Sequence, residues 1–422
     1  MRGLSRAERR RSRREKEKCG ERPEWSALEE YARLKIQGWI QELLEEELTE
    51  FLGRRKSERR AAIDGAVGYR NGYGKSRRVS MMAGTIVVRR PRVRGLEERF
   101  ESRILPLFKR RTEAMGELLP ELYTHGLAQG DFELALRGLL GDGAPLSASS
   151  IERLRAKWQL EYEAWRSRRL DELKVVYVWA DGLYVKAGLE DSKAALLVIV
   201  GALKDGGKVV LAIESGQRES KESWGRVLRD LRDRGLRPWK ATVADGHLGI
   251  WAALGELYSE SAELRCWNHR ILNVLDALVS KVWPEARELL SQMPYAESRA
   301  ECEKRRDRFV ARYRRAYPKA AEILLKDWER MVTFYNFPRE HWIHLRTTNV
   351  VESPFAAVRL RTTAAKRFKK VANATALIWK VLMMAEKTFR RLNAPDLVKE
   401  VFEGKKFVDG IAMNNCRKRL AA

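Results

Sequence analysis

The chain of 422 residues carries 83 lysine and arginine residues against 58 aspartate and glutamate residues, so its formal net charge is 83 − 58 = +25. Hydrophobic residues make up 44% of the chain, which is enough for a buried core, and the length predicts two or three domains. The sequence has no apolar run of about 18 residues, which a membrane-spanning helix requires, and no signal-peptide pattern. These observations exclude an integral membrane protein and predict a soluble, intracellular protein without a membrane partner.

The excess of positive charge indicates the class of partner. Phosphate polymers are the commonest partners of such basic chains, because each phosphate that a cation neutralises releases counterions. An anionic membrane surface would also attract the chain, but the sequence offers no anchor for one. Nucleic acid is therefore the expected partner.

The first 24 residues are predicted to be a disordered basic arm. Residues 1–16 hold eight basic and two acidic side chains, and such a run cannot bury itself. Two interpretations stay open for this arm: a nonspecific grip on DNA and a merely solvated tail.

Residues 25–110 are predicted to form a helix followed by a basic hairpin. Apolar residues recur at mostly helical spacing from Trp25 to Leu52. Glycine and asparagine turn residues then lead into the short β-like run TIVVRRPRV. Tyr69 and Tyr73 stand among many cations and suit contacts with backbone phosphates. A basic hairpin without a ligand is an equally good interpretation.

Residues 111–172 are predicted to be helical. The segment DFELALRGLLGD has apolar residues at helical spacing, and a break follows between Gly141 and Pro145. The next segment, LSASSIERLRAKW, begins with serines suited to cap a second helix. This order is compatible with a helix-turn-helix reader of DNA, although most such helical pairs are simply packing units.

From residue 173 onward the pattern changes to that of an α/β core. The runs LKVVYVWADGLYVKAG and AALLVIVGALKDGGKVVLAIE are apolar and β-branched, which is typical of strands. Helical and strand-like segments then alternate as far as residue 269. Residues 270–345 are almost wholly helical, and residues 346–422 hold a further acidic motif and basic helices. This order predicts a mixed α/β sheet that an all-helical segment interrupts.

Two aspartates follow apolar runs in this core. Asp181 comes after VVYVWA and Asp245 after ATVA, and functional groups gather at strand ends in α/β sheets. Because Asp-Gly is also a favoured turn pair, each aspartate alone could simply mark a turn. A third acid, Glu352, stands alone among cations in HLRTTNVVESPFAAVRLRT, where a helix begins either at Asn349 or after a cap at Ser353.

Three carboxylates from separate elements suit phosphodiester chemistry. Cutting a phosphodiester requires an activated water and a stabilised leaving oxygen, and two divalent ions about 3.5–4 Å apart do both. Mg²⁺ prefers oxygen ligands, and one or two carboxylates together with substrate phosphate usually hold it. The acids therefore predict a site for two Mg²⁺ or Mn²⁺ ions acting on DNA.

Several long motifs stand in order along the chain: YVWADGLYVKA, ESWGRVLRDLRDRGL, TVADGHLGIWAAL, RCWNHRILNVL and FYNFPREHWIHLRTTNVVESPFAAVRLRT. They closely resemble the bacterial Mutator-type insertion-sequence transposases, over roughly residues 65–410. The resemblance implies an RNase H-like core with a DDE triad and an all-helical insertion, preceded by a mainly helical DNA-binding region. It further implies a prokaryotic, cytoplasmic and nucleoid-associated enzyme that cuts element ends and joins their 3′-hydroxyls to target DNA.

The resemblance also assigns roles to residues. Asp181 matches the family's first acid, Asp245 the second, and Glu352 the glutamate of the TN-x-x-ES-x-F motif. The separations are 245 − 181 = 64 and 352 − 245 = 107 residues, and the helical stretch 270–345 fills the second gap. These three acids are the expected catalytic metal ligands. The expected partners are terminal inverted repeats and target DNA, with two copies of the chain in the synaptic complex.

The four cysteines form no CxxC pair, and a disulfide framework is not expected: Cys19, Cys266, Cys302 and Cys416. Cys266 and His269 match the C-x-x-H signature of the family. A structural zinc site takes four ligands, and His341 and His344 are available to complete one. A packing role for Cys266 and His269 close to the active site is the favoured interpretation.

Six cations after Glu352 are predicted to contact the DNA backbone: Arg359, Arg361, Lys366, Arg367, Lys369 and Lys370. Their segment RLRTTAAKRFKK contains no acid. A solvated face is the usual explanation of such a run, but its position after Glu352 favours contacts that position DNA without specifying sequence. Glu219 is expected to be structural, and His247 receives no role.

Two alternatives to a transposase stay open. A nuclease on the same core would cut DNA without joining it. A catalytically idle DNA-binding protein derived from a transposase would bind DNA without a metal requirement, and the intact set of three acids argues against it.

Overall fold

The computed structural model describes residues 24–58, 68–127, 135–137, 140, 148–186, 193–216, 219–246, 248–365, 368 and 370–413. They fall into two compact units. The first holds the residues up to Tyr123 together with Leu127–Leu154, and the second holds Thr124–Gly126 and the residues from Arg155 onward. The predicted basic arm lies, except for Glu24, outside the described residues.

The first unit combines a long helix with two short antiparallel strand pairs. Its described elements are a 3₁₀ turn (Trp25–Ala27), helix α1 (Leu28–Leu52), strands β1 (Tyr69–Tyr73), β2 (Arg77–Met81), β3 (Gly84–Val88) and β4 (Pro91–Arg94), and helix α2 (Glu113–Thr124), whose last residue falls in the second unit. Strand β1 pairs with β4, and β2 pairs with β3. The predicted helix is confirmed, and the predicted β structure follows it.

Side-chain amides attach α1 to the strand pair β2–β3. Val87 N donates to Gln37 Oε1 at 2.8 Å, and Gln41 exchanges two hydrogen bonds of 2.9 Å with the backbone of Arg89. The two glutamines are four residues apart and therefore lie on one face of the helix. Leu44 is buried in the same cluster as the strand residues. Helix α1 thus covers backbone groups of β3 that would otherwise form an open sheet edge.

The predicted helix-turn-helix falls largely outside the described residues, which leave out 128–134, 138–139 and 141–147. Its second helix is present as α3 (Ala148–Arg166). On this helix Trp158 and Tyr162 are buried, and the Tyr162 hydroxyl donates to Ile213 O at 2.7 Å. This face of α3 is therefore a packing face.

A five-stranded mixed sheet forms the centre of the second unit. The strands are β5 (Val175–Lys186), β6 (Lys193–Leu203), β7 (Lys208–Gly216), β8 (Ala241–Ala244) and β9 (Ala262–Arg265), in the order β7-β6-β5-β8-β9. The pairs β5–β6 and β6–β7 are antiparallel, and β5–β8 and β8–β9 are parallel. The mixed α/β sheet predicted from the apolar, β-branched runs is confirmed.

Helices cover one face of this sheet. Helix α4 (Lys221–Asp233) lies between β7 and β8 in the chain, and α5 (Leu248–Leu257) joins β8 to its parallel neighbour β9, as such a pair requires. Helix α4 begins at Ser220, whose side chain accepts a hydrogen bond from Ser223 N at 3.2 Å. Val178 and Ala180 of β5 share a buried cluster with residues of both helices.

An all-helical segment covers the other face. Its helices are α6 (Trp267–Leu275), α7 (Trp283–Gln292), α8 (Arg299–Tyr313), α9 (Pro318–Leu325), α10 (Trp328–Val332) and α11 (Trp342–Leu345), with 3₁₀ turns between them. The structure describes every residue from 270 to 345, and none of them forms a strand, as the sequence pattern predicts. The Tyr177 hydroxyl lies 2.8 Å from His341 Nδ1, and Trp179 Nε1 donates to His344 O at 2.8 Å. Side chains alternate along a strand, so Asp181 shares this face with Tyr177 and Trp179.

The chain then returns to the sheet through four more helices. They are α12 (Asn349–Glu352), α13 (Phe355–Ala365), α14 (Val371–Glu386) and α15 (Pro395–Phe402), and a short hairpin of β10 (Phe407–Val408) and β11 (Ile411–Ala412) follows. Of the two helix starts considered, the one at Asn349 is confirmed. The start capped by Ser353 is wrong, because Ser353 ends α12 and the next helix begins at Phe355. Within the described residues, no helix combines the length and apolarity that crossing a bilayer requires.

Candidate active site

Asp181 lies inside β5 and not at its end. The apolar run stops at Ala180, which suggested a strand end, but pairing with β6 continues and sets Asp181 opposite Val198. What ends at Ala180 is the parallel ladder with β8. Both the strand end and the alternative turn are therefore wrong for Asp181. Its side chain is 9% exposed, and its Oδ1 accepts a hydrogen bond from Gly182 N at 2.9 Å.

Asp245 follows the last residue of β8. Ala180 and Ala244 are partners in the parallel register, so Asp181 and Asp245 each follow one member of this pair. Asp181 is still within β5, whereas Asp245 lies in the loop after β8. The negative charge of Asp245 is one of the causes that raise the pKa of Asp181. The first two predicted acids are thus brought together.

Glu352 ends the one-turn helix α12 and is partly exposed. Its N–H donates to Thr348 O at 3.0 Å, and its Oε1 accepts a hydrogen bond from the Thr348 hydroxyl. The charge of Glu352 also raises the pKa of Asp181. The charges of Asp245 and Glu352 therefore both act on Asp181, although the three acids come from β5, from the loop after β8 and from α12.

Backbone hydrogen bonds bring the distant segments to the sheet. Cys266 N donates to Ala244 O at 2.8 Å, immediately before Asp245. The next residue, Trp267, donates its N–H to Arg346 O at 2.9 Å. The two ends of the helical segment therefore meet beside the second acid, and the chain reaches Glu352 six residues later.

The two residues of the C-x-x-H signature lie beside Glu352. Cys266 is fully buried and its Sγ accepts a hydrogen bond from Thr348 N at 3.4 Å. His269 Nδ1 lies 4.0 Å from Glu352 Oε1. Thr348 was quoted in the sequence motif but received no role there, because only the fold brings its side chain against residues about 80 positions earlier.

Two side chains of the site, Asp181 and His269, have shifted pKa values. Burial, with smaller contributions from the charges of Glu352 and Asp245, raises the pKa of Asp181 to about 7, although the Gly182 N–H and His269 act in the opposite direction. The hydrogen bond with Cys266 first, and the charges of Asp181 and Glu352 after it, raise the pKa of His269 to about 9 against the opposing effect of burial. At neutral pH the site therefore contains an imidazolium ion, on a side chain that is 34% exposed, beside Asp181 and Glu352.

The residues present fit a hard divalent cation. Asp181, Asp245 and Glu352 offer carboxylate oxygens, the ligand type that Mg²⁺ prefers. The raised pKa of Asp181 marks a place where accumulated negative charge is unfavourable, so a bound cation would relieve it.

A second set of donors lies close together nearby. Across the described residues, potential ligand atoms of Cys266, His269 and Glu352 lie within 4.8 Å of one another. The histidines considered as further zinc ligands are engaged elsewhere. His341 contacts Tyr177, and His344 Nε2 accepts a hydrogen bond from the backbone N–H of Asn393 at 3.1 Å.

Glu219 contacts the backbone next to Asp181. It is 7% exposed, and a Cβ atom added to Gly182 would lie 3.0 Å from Glu219 Cγ and closer still to its carboxylate. Glu219 also hydrogen-bonds Tyr184, whose pKa rises to about 12 through burial first and the charge and hydrogen bond of Glu219 next. The sequence indicated a structural part for Glu219, and the structure specifies it as packing against the strand that carries Asp181.

Arg265 packs against Gly246, the residue after Asp245, as Glu219 packs against the residue after Asp181. A Cβ atom on Gly246, which has φ +96°, would lie 2.9 Å from Arg265 Cδ. Arg265 is 8% exposed and donates through Nη1 to Asp327 Oδ2 at 2.7 Å. Asp327 also accepts hydrogen bonds from Arg270 and Arg330, at 3.4 and 2.9 Å. The sequence reasoning missed this buried ion cluster, because its members are far apart in the chain.

The cations after Glu352 differ in their surroundings. Arg359 and Lys370 are exposed. Arg361 is 2% exposed, because it follows Phe355 and Val358 at three-residue intervals on the buried face of α13. The predicted contact of Arg361 with the DNA backbone is therefore contradicted by its burial. The remaining predicted contacts lie outside the described residues: Lys366, Arg367 and Lys369.

Comparisons with known proteins agree with the resemblance seen in the motifs. The family model described as "Transposase, Mutator family" matches residues 10–391. The transposase for insertion sequence element IS6120 of Mycolicibacterium smegmatis is 42% identical over 296 residues, which cover 70% of this chain and 92% of that protein. The transposase for element IST2 of Acidithiobacillus ferrooxidans is 42% identical over 283 residues, which cover 66% of this chain and 95% of that protein.

Among solved structures, a chain of the Drosophila P element transposase strand transfer complex matches 67% of this chain and 84% of its own length. Its identity is 12% and its TM-score 0.27, a similarity too low to carry an argument. The family model and the two relatives carry the assignment without it. The chain belongs to the Mutator family of transposases.

Proposed function

We propose that this protein is an insertion-sequence transposase that cuts the ends of its element and joins the freed 3′-hydroxyls to target DNA. The observation that carries the proposal is the convergence of Asp181, Asp245 and Glu352 in a member of this family. Asp181 and Asp245 each follow one member of a residue pair in the parallel ladder between β5 and β8. The charges of Asp245 and Glu352 both raise the pKa of Asp181. Three acids from separate elements, in a chain of net charge +25, suit a metal-dependent reaction on a polyanion.

The reaction requires no covalent intermediate with the protein. In the first step an oxygen of water forms a bond to phosphorus, and the bond from phosphorus to the 3′ oxygen of the element end breaks. In the second step that 3′ oxygen forms a bond to a target phosphorus, and the target's own 3′ oxygen leaves. One phosphodiester bond is exchanged for another, so joining consumes no external energy source.

Asp181, Asp245 and Glu352 would hold two Mg²⁺ or Mn²⁺ ions, which when bound activate the attacking oxygen and stabilise the leaving one. The protein's own contribution is to fix these carboxylates on one face of the sheet, with Asp181 nine-tenths buried. His269 contributes a positive charge beside Asp181 and Glu352, which limits their mutual repulsion before cations bind. We also propose that the sheet is the RNase H-like core that the family resemblance implies. Its three antiparallel strands followed by two parallel ones support this assignment.

DNA is the proposed substrate, and two copies of the chain are proposed to act together because two element ends must be joined. The net charge of +25 supports a long-range attraction to DNA. Arg359, within α13, and Lys370, directly before α14, are exposed and are suited to contact backbone phosphates.

The test is end cleavage and strand transfer with labelled DNA that carries the terminal sequences of the element. We expect Asp181→Asn and Glu352→Gln to abolish both steps in Mg²⁺ while DNA binding persists. Glu322→Gln, an exposed glutamate on α9, is the matched control and should retain both activities. Full cleavage by either acid variant would refute the assignment.

The same assays separate the alternatives. Cleavage without any joined product would identify a nuclease on the same core. DNA binding that is indifferent to metal, with no cleavage under any divalent ion, would identify a catalytically idle DNA-binding protein. A single copy of the chain in an active complex with two ends would contradict the proposed pairing.

A further inference from the structure

The hydroxyl of Thr348 lies at the centre of the side chains around Glu352. Its Oγ1 is 3.2 Å from Cys266 Sγ and 3.5 Å from His269 Nδ1, and it donates a hydrogen bond to Glu352 Oε1. Thr348 and Cys266 are both 0% exposed. Water is therefore excluded from Thr348 and Cys266, whereas the side chains of His269 and Glu352 are 34% and 29% exposed.

The Thr348 hydroxyl does not cap the helix that it precedes. Thr348 is the N-cap residue of α12, where a threonine side chain ordinarily accepts a hydrogen bond from an N–H of the first turn. Its side chain makes no such bond. The backbone carbonyl of Thr348 accepts hydrogen bonds from the N–H groups of Val351 and Glu352, at 2.9 and 3.0 Å. The hydroxyl is thus free to reach the carboxylate four residues later.

Proton counting fixes the direction of the contacts. A hydroxyl has one hydrogen to donate and can accept from others. The carboxylate is the stronger acceptor, so the Thr348 hydrogen goes to Glu352. Sγ of Cys266 accepts from Thr348 N at 3.4 Å and lies 3.2 Å from Thr348 Oγ1, so the hydroxyl can also donate to this sulfur when it is not donating to Glu352. Cys266 therefore orients the hydroxyl and the hydroxyl orients the carboxylate.

The same geometry argues against a metal ion held by Cys266, His269 and Glu352. These three residues have ligand atoms within 4.8 Å of one another. Thr348 Oγ1, however, already lies within hydrogen-bonding distance of a potential ligand atom on each of them. A cation held by these three residues would have to compete with this hydroxyl for the same atoms. The cluster is therefore a hydrogen-bonded support for Glu352.

We propose that Thr348 is a positioning residue that holds the carboxylate of Glu352 toward Asp181 and Asp245, and that the C-x-x-H cysteine serves to orient it. This inference rests on the proposed function, since it assigns Glu352 to the metal-dependent site. Cys266 is in turn hydrogen-bonded through its N–H to Ala244 O, directly before Asp245. Thr348 thus ties the third acid to the strand that presents the second.

The experiment compares Thr348→Val, which keeps the shape but lacks the hydroxyl, with Thr348→Ser, which keeps the hydroxyl. End cleavage is measured across a Mg²⁺ titration. We expect Thr348→Val to raise the half-saturating Mg²⁺ concentration by about 10- to 100-fold, the usual effect of losing a group that orients a metal ligand. Thr348→Ser should stay within about 3-fold of the unmodified protein, because its hydroxyl can make the same bonds. The half-saturating concentration is a property of the folded molecules, so partial unfolding of a variant does not obscure it.

Cys266→Ala provides a second, independent variant. It leaves the bond from Thr348 to Glu352 intact but removes the group that orients the hydroxyl, so we expect a shift in the same direction and smaller than that of Thr348→Val. Equal half-saturation for Thr348→Val, Thr348→Ser and the unmodified protein would overturn the inference. So would one equivalent of Zn²⁺ that the unmodified protein retains through dialysis and Cys266→Ala loses.

Glu352→Gln distinguishes failure of the inference from failure of the proposed function. If Glu352→Gln is inactive and Thr348→Val behaves like the unmodified protein, the acid assignment stands and the role of Thr348 is wrong. If Glu352→Gln cleaves normally, the proposed active site itself is wrong.

Discussion

Replacing Asp181 with asparagine should stabilise the metal-free protein at neutral and alkaline pH. Burial first, and the charges of Glu352 and Asp245 next, raise the pKa of Asp181 from 3.8 to about 7. The folded protein therefore holds a proton between about pH 4 and pH 7 that the unfolded chain has released. The associated stability is complete below about pH 4 and is lost as the pH rises through about 7.

The magnitude follows from the size of the shift. Each pKa unit corresponds to about 1.36 kcal/mol, so ionising Asp181 in the folded protein costs about 4 kcal/mol at pH 8 and about half of that at pH 5.5. Asparagine has the same shape and does not ionise, and its carbonyl can still accept the hydrogen bond from Gly182 N. Asp181→Asn should therefore recover this cost.

The assay is thermal unfolding in EDTA between pH 5.5 and pH 8. A gain of 1 kcal/mol raises Tm by about 2–4 °C in a unit of this size, so Asp181→Asn should unfold up to about 8–16 °C higher at pH 8. The gain should shrink to about half at pH 5.5. Asp396→Asn, at a side chain that is 90% exposed, is the matched control and should show no pH-dependent gain. Excess Mg²⁺ should stabilise the unmodified protein more than Asp181→Asn, since ligands stabilise the state that binds them.

A Tm difference between Asp181→Asn and the unmodified protein that does not vary with pH would refute this reasoning. So would a variant that is less stable at pH 8 in EDTA. Either result would mean that ionisation of the Asp181 carboxyl does not destabilise the folded protein.

Three further predictions follow from contacts around the site. Gly182→Ala should destabilise the protein by about 1–3 kcal/mol, because the new Cβ would overlap the carboxylate of Glu219; unfolding midpoints measure this. Asp327→Ala should destabilise it by about 3–5 kcal/mol, because three arginines would lose their shared buried partner; the fall in Tm measures this. Arg359→Ala should lower the slope of log K against log salt for DNA binding by about 1, whereas Arg361→Ala should lower Tm and leave that slope unchanged.

Each of these has a matched control or a contrary outcome. Gly182→Ala combined with Glu219→Ala should recover stability relative to the sum of the single changes, and strict additivity would contradict the overlap. Asp327→Ala should be far more harmful than Asp233→Ala, at a side chain that is 71% exposed. An equal loss of salt dependence in Arg359→Ala and Arg361→Ala would show that the burial of Arg361 is not maintained on DNA.

The sequence was most informative where local pattern decides structure. The β-branched apolar runs predicted the strands of the central sheet, and the residues after two of them supplied the first two acids. Helical spacing predicted the segment between residues 270 and 345, all of which the structure describes as helices, 3₁₀ turns and connections. In these stretches the local preference and the final packing agree, so no long-range information was needed.

The sequence was least informative where a distant partner decides. Strand β5 continues through Asp181 because β6 pairs with it beyond Ala180, and nothing local to Asp181 encodes that partner. The roles of Thr348 and Glu219 depend on contacts with residues far away in the chain. Arg361 is a different case: its spacing from Phe355 and Val358 indicated a buried face, but the density of charge in the segment concealed that signal.

The hydrogen bond of 2.9 Å from Trp267 N to Arg346 O has a consequence for how this architecture can change in size. Because the two ends of the helical segment meet, the chain leaves and re-enters the core at one place, in the manner of a domain inserted into a permissive loop. Its length can grow or shrink without altering the path from Cys266 to Thr348. The number of residues between Asp245 and Glu352, here 352 − 245 = 107, can therefore change. The distance between the two side chains stays the same.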